Sequence, residues 1–400
     1  MKPVTRAAIA TLVNLTLIAL PTAHADAWQD KLDQAKGQTV YFHAWGGDEN
    51  INDYIQWAAD RVKAEYDIDV KHVKSGAATA VSQVLAEKSA GKDNGGAVDL
   101  IWINGENFAS MKKGGLLYGA FTQDLPNYAL VDTENKPTTL YDFTVPVDHL
   151  EAPWGMAQLV FMYDSELVSQ PPSNAAELLA FAQANPGRFT YPAPPAFHGT
   201  TFVKQMLIEL SEQNAALYAP VTMADFDSVT APLWEYLDQL HPVMWRQGKT
   251  FTDGAPRMKQ LLNDGEIAIS LSFNPFEASS AIANDELPNS IRTYIHDNGT
   301  IGNSHFVAIP YNASQPVAAM VFADFLMSAE AQARKANPTI WGDPTVLSMD
   351  KLDASQKAQF DNLPQGIATL SNQELAKVLQ EPHASWVAAL EAAWLERYGN

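Results

Sequence analysis

Three short strand-like runs, Gln38–Trp45, Ile68–Val73 and the largely apolar Val98–Ile103, are separated by stretches whose apolar residues recur at helical spacing. Ile51, Tyr54, Ile55, Ala58 and Val62 make one such face, which ends near Tyr66, and Val81, Val84 and Leu85 make another after Ser75-Gly76. Strands that are apolar almost throughout are covered on both faces, the situation of parallel sheets flanked by helices. The alternation therefore predicts an α/β layer structure with a mostly parallel sheet. A short helix from Phe108 to Lys113, closed by Gly114-Gly115, ends this unit.

A composition shift follows. Thr133–Thr139 is polar and contains Pro137, and Pro146 and Pro153 bracket a loop-like stretch before the apolar run Trp154–Tyr163. Helices are predicted over Ala175–Gln183 with Ser173-Asn174 as the cap, and around Thr201–Leu210, Leu233–His241, Pro256–Leu262 and Pro316–Ala336. Strands are predicted at Phe189–Tyr191, Ile267–Phe273 and Ser304–Ile309. Trp386, Leu390 and Trp394 form a stripe of spacing four on a terminal helix, read as core packing.

The first 25 residues stand apart. Lys2 and Arg6 give a basic start, Ala7–Leu20 is largely apolar, and Ala23-His24-Ala25 supplies a small-x-small pattern. Together they read as a secretory leader, with a mature chain expected to begin at Asp26. With 0 Cys, disulfides, thiolate metal sites and lipid attachment through a cysteine are excluded. The net charge of −20 becomes two units more negative once Lys2 and Arg6 leave. That disfavours nucleic acid and anionic membranes as partners. It leans toward a cationic ligand, although acidic residues are also ordinary solvated surface.

Several fragments, in order, resemble a known family. "VYFHAWGGDENINDYIQWAADRVKAEYDIDVKHV" gives strand, Gly-acid turn, helix and strand. "DLIWINGENFASMKKGGLL" gives an apolar strand, a polar tip and a short helix, and "PWGMAQLVFMYDSELV" an aromatic crossover strand. "LLNDGEIAISLSFNPFEASSAI" and "HFVAIPYNASQPVAAMVFADFLMSAEAQ" follow. The set is similar to the extracytoplasmic solute-binding proteins of bacterial ABC importers, in the branch of maltodextrin, polyamine, thiamine and iron receptors. The resemblance implies a two-lobe periplasmic binding protein fold, each lobe a mixed sheet flanked by helices, with the ligand in the cleft between them. On this pattern residues 26–153 and 297–340 form the first lobe, and 154–296 and 341–400 the second. A monomer that meets importer membrane subunits is expected, with no cofactor and no bound metal.

In open α/β sheets ligands sit beyond the carboxyl ends of the strands. Asp48 and Glu49 follow Gly46-Gly47 at the end of the first strand. They either face a ligand or complement the positive end of the next helix. Trp45 either stacks on a ligand or packs in the core. Ser75, Asn104, Glu106 and Asn107 tip the second and third strands, as ligand groups or as helix caps. By resemblance, Glu106 matches an acidic position of maltodextrin receptors, while Ala157 stands where those receptors carry a ligand-binding Glu. Trp154 begins the crossover beside the cleft. Tyr191, Phe273, Asn274 and Phe276 match its far wall, with Glu277 nearby, and His198 and Gly199 precede a helix. Surplus carboxylates among aromatic walls suit an organic cation such as thiamine or a polyamine. A sugar is the alternative. Iron is disfavoured, since no adjacent Tyr pair is present and the 9 His are scattered. A secreted hydrolase using Asp48 and Glu106 as acid and base is the rival class, but the chain has no G-x-S-x-G elbow.

Overall fold

The computed structural model describes residues 20–364 and 366–399. Residues 1–19, with the basic start and most of the apolar run of the expected leader, lie outside the described residues. A helix over Leu20–Ala35 spans the Ala23-His24-Ala25 pattern. No helix among the described residues is long and apolar enough to cross a membrane.

The first sheet is built on β1 (Thr39–Ala44), β2 (Asp69–Lys74) and β3 (Leu100–Ile103), all parallel, with Val40 opposite Val70 and Phe42 opposite Leu100. Helix α1 (Glu49–Tyr66) links the first two strands and buries Tyr54, Ile55, Ala58 and Val62, the face its periodicity predicts. It stops at Asp67, which takes a left-handed conformation at φ 56°. Helix α2 (Gly105–Gly114) follows β3. One face of the sheet packs Phe42, Tyr54, Val62, Phe322 and Phe325, and the other packs Val84, Ile101, Phe108, Met111 and Phe306.

Strand β4 (Glu151–Gln158) leaves this lobe and β5 (Val160–Asp164) enters the second. There β5 lies between β6 (Ile269–Ser272) and β7 (Ile291–Tyr294), antiparallel to both. Strand β8 (Thr300–Ala308) brings the chain back. It pairs antiparallel with β4 along its length and with β3 at Phe306 opposite Ile103. At the second-lobe end Leu159 donates its N–H to the Ile301 carbonyl at 2.8 Å, and Thr300 pairs with Val378 of β9 (Val378–Leu379). The second core collects Phe161, Phe189, Tyr191, Phe202, Leu233 and the predicted stripe Trp386, Leu390 and Trp394. Helices α3 (Phe197–Leu210) and α5 (Ser385–Tyr398) cover it, and α4 (Ala255–Asn263) packs Met258, Leu261 and Leu262 in a smaller cluster with Met162 and Ile267.

Two features depart from the sequence reading. Pro153 lies inside a strand rather than a loop, beside a register shift between His305 and Phe306 that spares the ladder the missing N–H. The chain also stays with the first lobe after Ile340: Trp341, Val346, Leu347 and Leu352 are buried in its core, as is Trp154. The anchors are two cations, one buried and one half-buried. Lys335 pairs with Asp343, and Lys136 donates to the carbonyls of Thr345 and Leu347 at 2.8 Å each. Ala368, beyond them, packs in the second lobe, so the chain crosses between lobes a third time.

Candidate functional site: the interlobe cleft

Because β1, β2 and β3 are parallel, their carboxyl ends share one edge, and the loops after them face the second lobe. Opposite stand the loop after β6 with Phe273, Asn274 and Phe276, the start of α3, and Lys259 on α4. The lobes touch here. Asn274 Nδ2 donates to the Trp341 carbonyl at 3.1 Å, and Asp48 Oδ2 lies 3.8 Å from Lys259 Nζ.

Asp48 fills the capping role with one oxygen and leaves the other turned to the second lobe. Its Oδ1 accepts from the N–H groups of Asn50 and Ile51, capping α1, and its Oδ2 looks across the cleft. Glu49 is exposed in the first turn. The two glycines leave room for their neighbours. A β-carbon on Gly46 would come 2.6 Å from Lys74 Cγ, and one on Gly47 would strike the Trp45 ring. Trp45 itself is 39% exposed.

Ser75 Oγ hydrogen-bonds His43 Nδ1 at 3.2 Å and does not cap the helix that follows, whose cap position is Gly76. Asn104 occupies the cap position of α2 without a side-chain capping bond. The Gly105 N–H donates instead to Asp142 Oδ2 at 2.7 Å. Glu106 accepts from Asn107 Nδ2 at 2.6 Å. Burial raises its pKa, Lys204 opposes that rise, and Glu391 and Glu381 add to it.

Below this loop is an apolar and charged floor that sequence reasoning missed. The turn Phe143-Thr144 has φ of 44° and 68°, a region unfavourable for non-glycine residues. Packing holds it there: Phe143 is buried against Ala384 and Val387 of the second lobe, and Lys204 Nζ sits 4.2 Å from its ring centre. Lys204 and Glu381, 1% and 2% exposed, pair at 2.6 Å. Glu391 accepts from Thr200 Oγ1 at 2.7 Å. Burial raises the pKa of Glu391, and Thr200 and Lys204 temper the rise. Trp102, Trp341 and His305 cluster on the first-lobe side, the His305 and Trp341 rings nearly parallel at 6.2 Å. Burial pushes the His198 pKa down to about 4, so its imidazole is neutral near pH 7.

Two expected wall residues do not reach the cleft. Trp154 is fully buried in the first core, ringed by Phe42, Tyr54, Trp102 and Trp341. Tyr191 is fully buried in the second core, its hydroxyl paired with His241 Nε2 at 2.7 Å and accepting from Trp394 Nε1 at 2.9 Å. Phe273 is buried edge-on against Phe197 at 5.1 Å. Asn274 Oδ1 accepts from the Phe276 N–H at 2.9 Å, fixing the turn, and Phe276 packs on Gly342. Tyr191→Phe should therefore leave ligand affinity unchanged. It should cost about 1–3 kcal/mol of stability by stranding the Trp394 and His241 nitrogens. A thermal melt beside a binding titration checks both.

Lys259 was read only as part of a helix, and its flanking sequence carries no sign of a functional side chain. Its ammonium lies 2.5 Å from Glu286, 3.5 Å from Glu277 and 3.8 Å from Asp48. Burial works against its charge, yet Glu277, Glu286 and Asp48 together hold its pKa above the usual lysine range. Burial raises the pKa of Glu277, with Lys259 opposing. Among the described residues no group of three or more His, Cys, Asp or Glu is placed to hold a metal ion.

Residues 57–362 match the family model of bacterial extracellular solute-binding proteins. Protein YnjB of Escherichia coli (strain K12) is 47% identical over 387 residues, which cover 96% of this chain and 97% of that one. Among solved structures, the fructose-6-phosphate-bound periplasmic binding protein AfuA of Actinobacillus pleuropneumoniae is similar at a TM-score of 0.63 and 15% identity, over 90% of this chain and 98% of that one. The spermidine/putrescine transporter substrate-binding protein PotD of Streptococcus pneumoniae gives 0.62 at 14%, over 90% and 98%. Iron-bound HitA of Pseudomonas aeruginosa gives 0.59 at 15%, over 89% and 99%.

Proposed function

We propose that this chain, which belongs to the bacterial extracellular solute-binding protein family, captures a small organic cation, such as thiamine or a polyamine, between its two lobes. It is a solute-binding receptor of an ABC importer. In our reading it works in the periplasm and hands its ligand to the importer's membrane subunits.

The observation that carries the choice of a cation is an imbalance of charge across the cleft. Asp48 and Glu106 come from the first lobe, and Glu277, Glu286 and Glu391 from the second. Of the ammonium groups near them, Lys204 is committed to Glu381 and Lys259 to the acids around it, and Lys74, at the end of β2 beside Gly46, is not enough to balance the rest. A phosphate or carboxylate ligand would meet net negative charge, whereas a cation would relieve it. Exposed Trp45 and Phe197 add aromatic faces suited to a cation. Tyr191, the far-wall platform expected for a sugar, is turned into the core.

Calorimetric titration with thiamine, putrescine, maltose and fructose 6-phosphate tests the reading. The expected result is binding of a cation alone. Asp48→Asn and Glu106→Gln should each weaken it by about 30-fold or more, from the 2–5 kcal/mol cost of removing one partner of a desolvated charge pair. Glu49→Gln should change it little. Tight binding of the sugar phosphate, or cation affinity unchanged in both Asp48→Asn and Glu106→Gln, overturns the proposal.

A further inference from the structure

The position of Lys259 bears on how the cleft closes, an inference that rests on the reading of the ligand as a cation. Helix α4 is fixed to the second lobe by buried Met258, Leu261 and Leu262. Glu277 opens a helix over Glu277–Ala283, and Glu286 lies in the turn that closes it, its N–H bonded to the Ala281 carbonyl at 2.8 Å. These three side chains thus form one group on the second lobe. Asp48 is equally well held on the first lobe by its two capping bonds. Both halves of the interlobe pair are in place before they meet, so little side-chain freedom is lost when they do.

Without the ammonium, closing the cleft would press Asp48 toward Glu277 and Glu286, three like charges in a partly dried space. With it, closure brings opposite charges together. We propose that Lys259 is a built-in stand-in for the ligand's cationic group: it lets the acidic mouth close when no ligand is present, and it holds Asp48 until a stronger cation replaces it. Lys259 is then a specificity-determining residue. A ligand is retained only if its cation competes with an ammonium already tethered at 3.5–3.8 Å from Glu277 and Asp48.

Chemical rescue tests this with no physiological ligand, so its failure is distinguishable from failure of the functional proposal. Lys259→Ala leaves a space lined by three carboxylates that n-butylammonium can enter. Small-angle scattering of the ligand-free protein should show a larger radius of gyration for Lys259→Ala than for wild type, reflecting a shift of about fivefold in the closed-to-open ratio at the upper end for a partly exposed pair. n-Butylammonium chloride should reverse the expansion, and sodium chloride at equal ionic strength should not. Asp48→Asn should also expand the protein but gain nothing from n-butylammonium. Circular dichroism confirms folding, and Lys259→Gln replaces the alanine variant if that one is unfolded. A ligand-free radius identical to wild type in the folded variants overturns the latch. Equal reversal by sodium chloride overturns the stand-in, because screening alone then explains closure.

Discussion

Lys204→Met lowers stability by about 3–5 kcal/mol, the usual cost of removing one partner of a buried ion pair. Glu381 is 2% exposed; its Oε2 receives Lys204 at 2.6 Å and its Oε1 receives Asn303 Nδ2 at 3.0 Å. Methionine matches the volume of the lysine stem but leaves a carboxylate in a dry site with one neutral partner. It also removes the ammonium that faces Phe143, a contact that adds to the packing of Ala384 and Val387 in holding the turn's left-handed backbone. The sign with pH follows. Burial already raises the pKa of Glu381 and Lys204 opposes the rise, so the variant raises it further. A carboxyl whose folded pKa exceeds its unfolded value contributes stability below the unfolded pKa and loses it as pH rises through the folded one. The deficit of Lys204→Met should accordingly shrink in acid. Lys204→Met combined with Glu381→Gln should regain most of the loss at pH 7. Denaturant titrations at pH 4.5 and 7 decide it, and a deficit under about 1 kcal/mol at both would show that the pair has been misjudged.

Trp154→Ala costs a similar amount, about 3–5 kcal/mol, through the cavity left in the first core. No hydrogen bond is lost, since Trp154 Nε1 has no partner among the described residues. The ring stands edge-on to Phe42, Trp102 and Trp341. Its removal therefore also frees the aromatic cluster beside the cleft. Trp154→Phe should restore most of the stability, while ligand affinity stays as in wild type. Thermal unfolding and binding of the two variants separate these effects. A Trp154→Phe protein that is fully stable yet fails to bind would return this residue to the cleft wall.

The sequence was most legible where one physical rule acts alone. Periodicity marks the buried face of α1, and continuous apolar runs mark β1 and β3, because both elements meet a single core. It was least legible where two environments ask for the same residue type. Tyr191 and Trp154 are aromatic residues beside proline-rich or crossover segments, and a cleft wall and a packed core both favour such side chains. Only the three-dimensional path decides, and it turns both inward. Lys259 poses the opposite difficulty. In "APRMKQLLN" it looks like any lysine on the wet side of a helix, and its acidic neighbours come from Asp48 and from Glu277 and Glu286, far off in sequence. The predicted helix Pro316–Ala336 is broken into Pro316–Leu326 and Ala329–Ala336. There the signal was present: Ser328 caps the second piece by accepting from the Ala331 N–H at 3.2 Å.

The repeated passage of the chain between lobes also governs the order in which it can fold. Strand β3 at Leu100–Ile103 finds its second neighbour only at Phe306–Ala308, and the last of the cover over that lobe only at Trp341–Leu352. As synthesis proceeds, the first two hundred residues hold neither a finished sheet nor a sealed core. Contacts of such long sequence separation form slowly, because the entropy of closing the loop is lost before the strands reward it. A nascent chain of this topology stays unfolded and threadable until most of it has emerged, which is the condition a polypeptide must meet to be passed through a membrane channel.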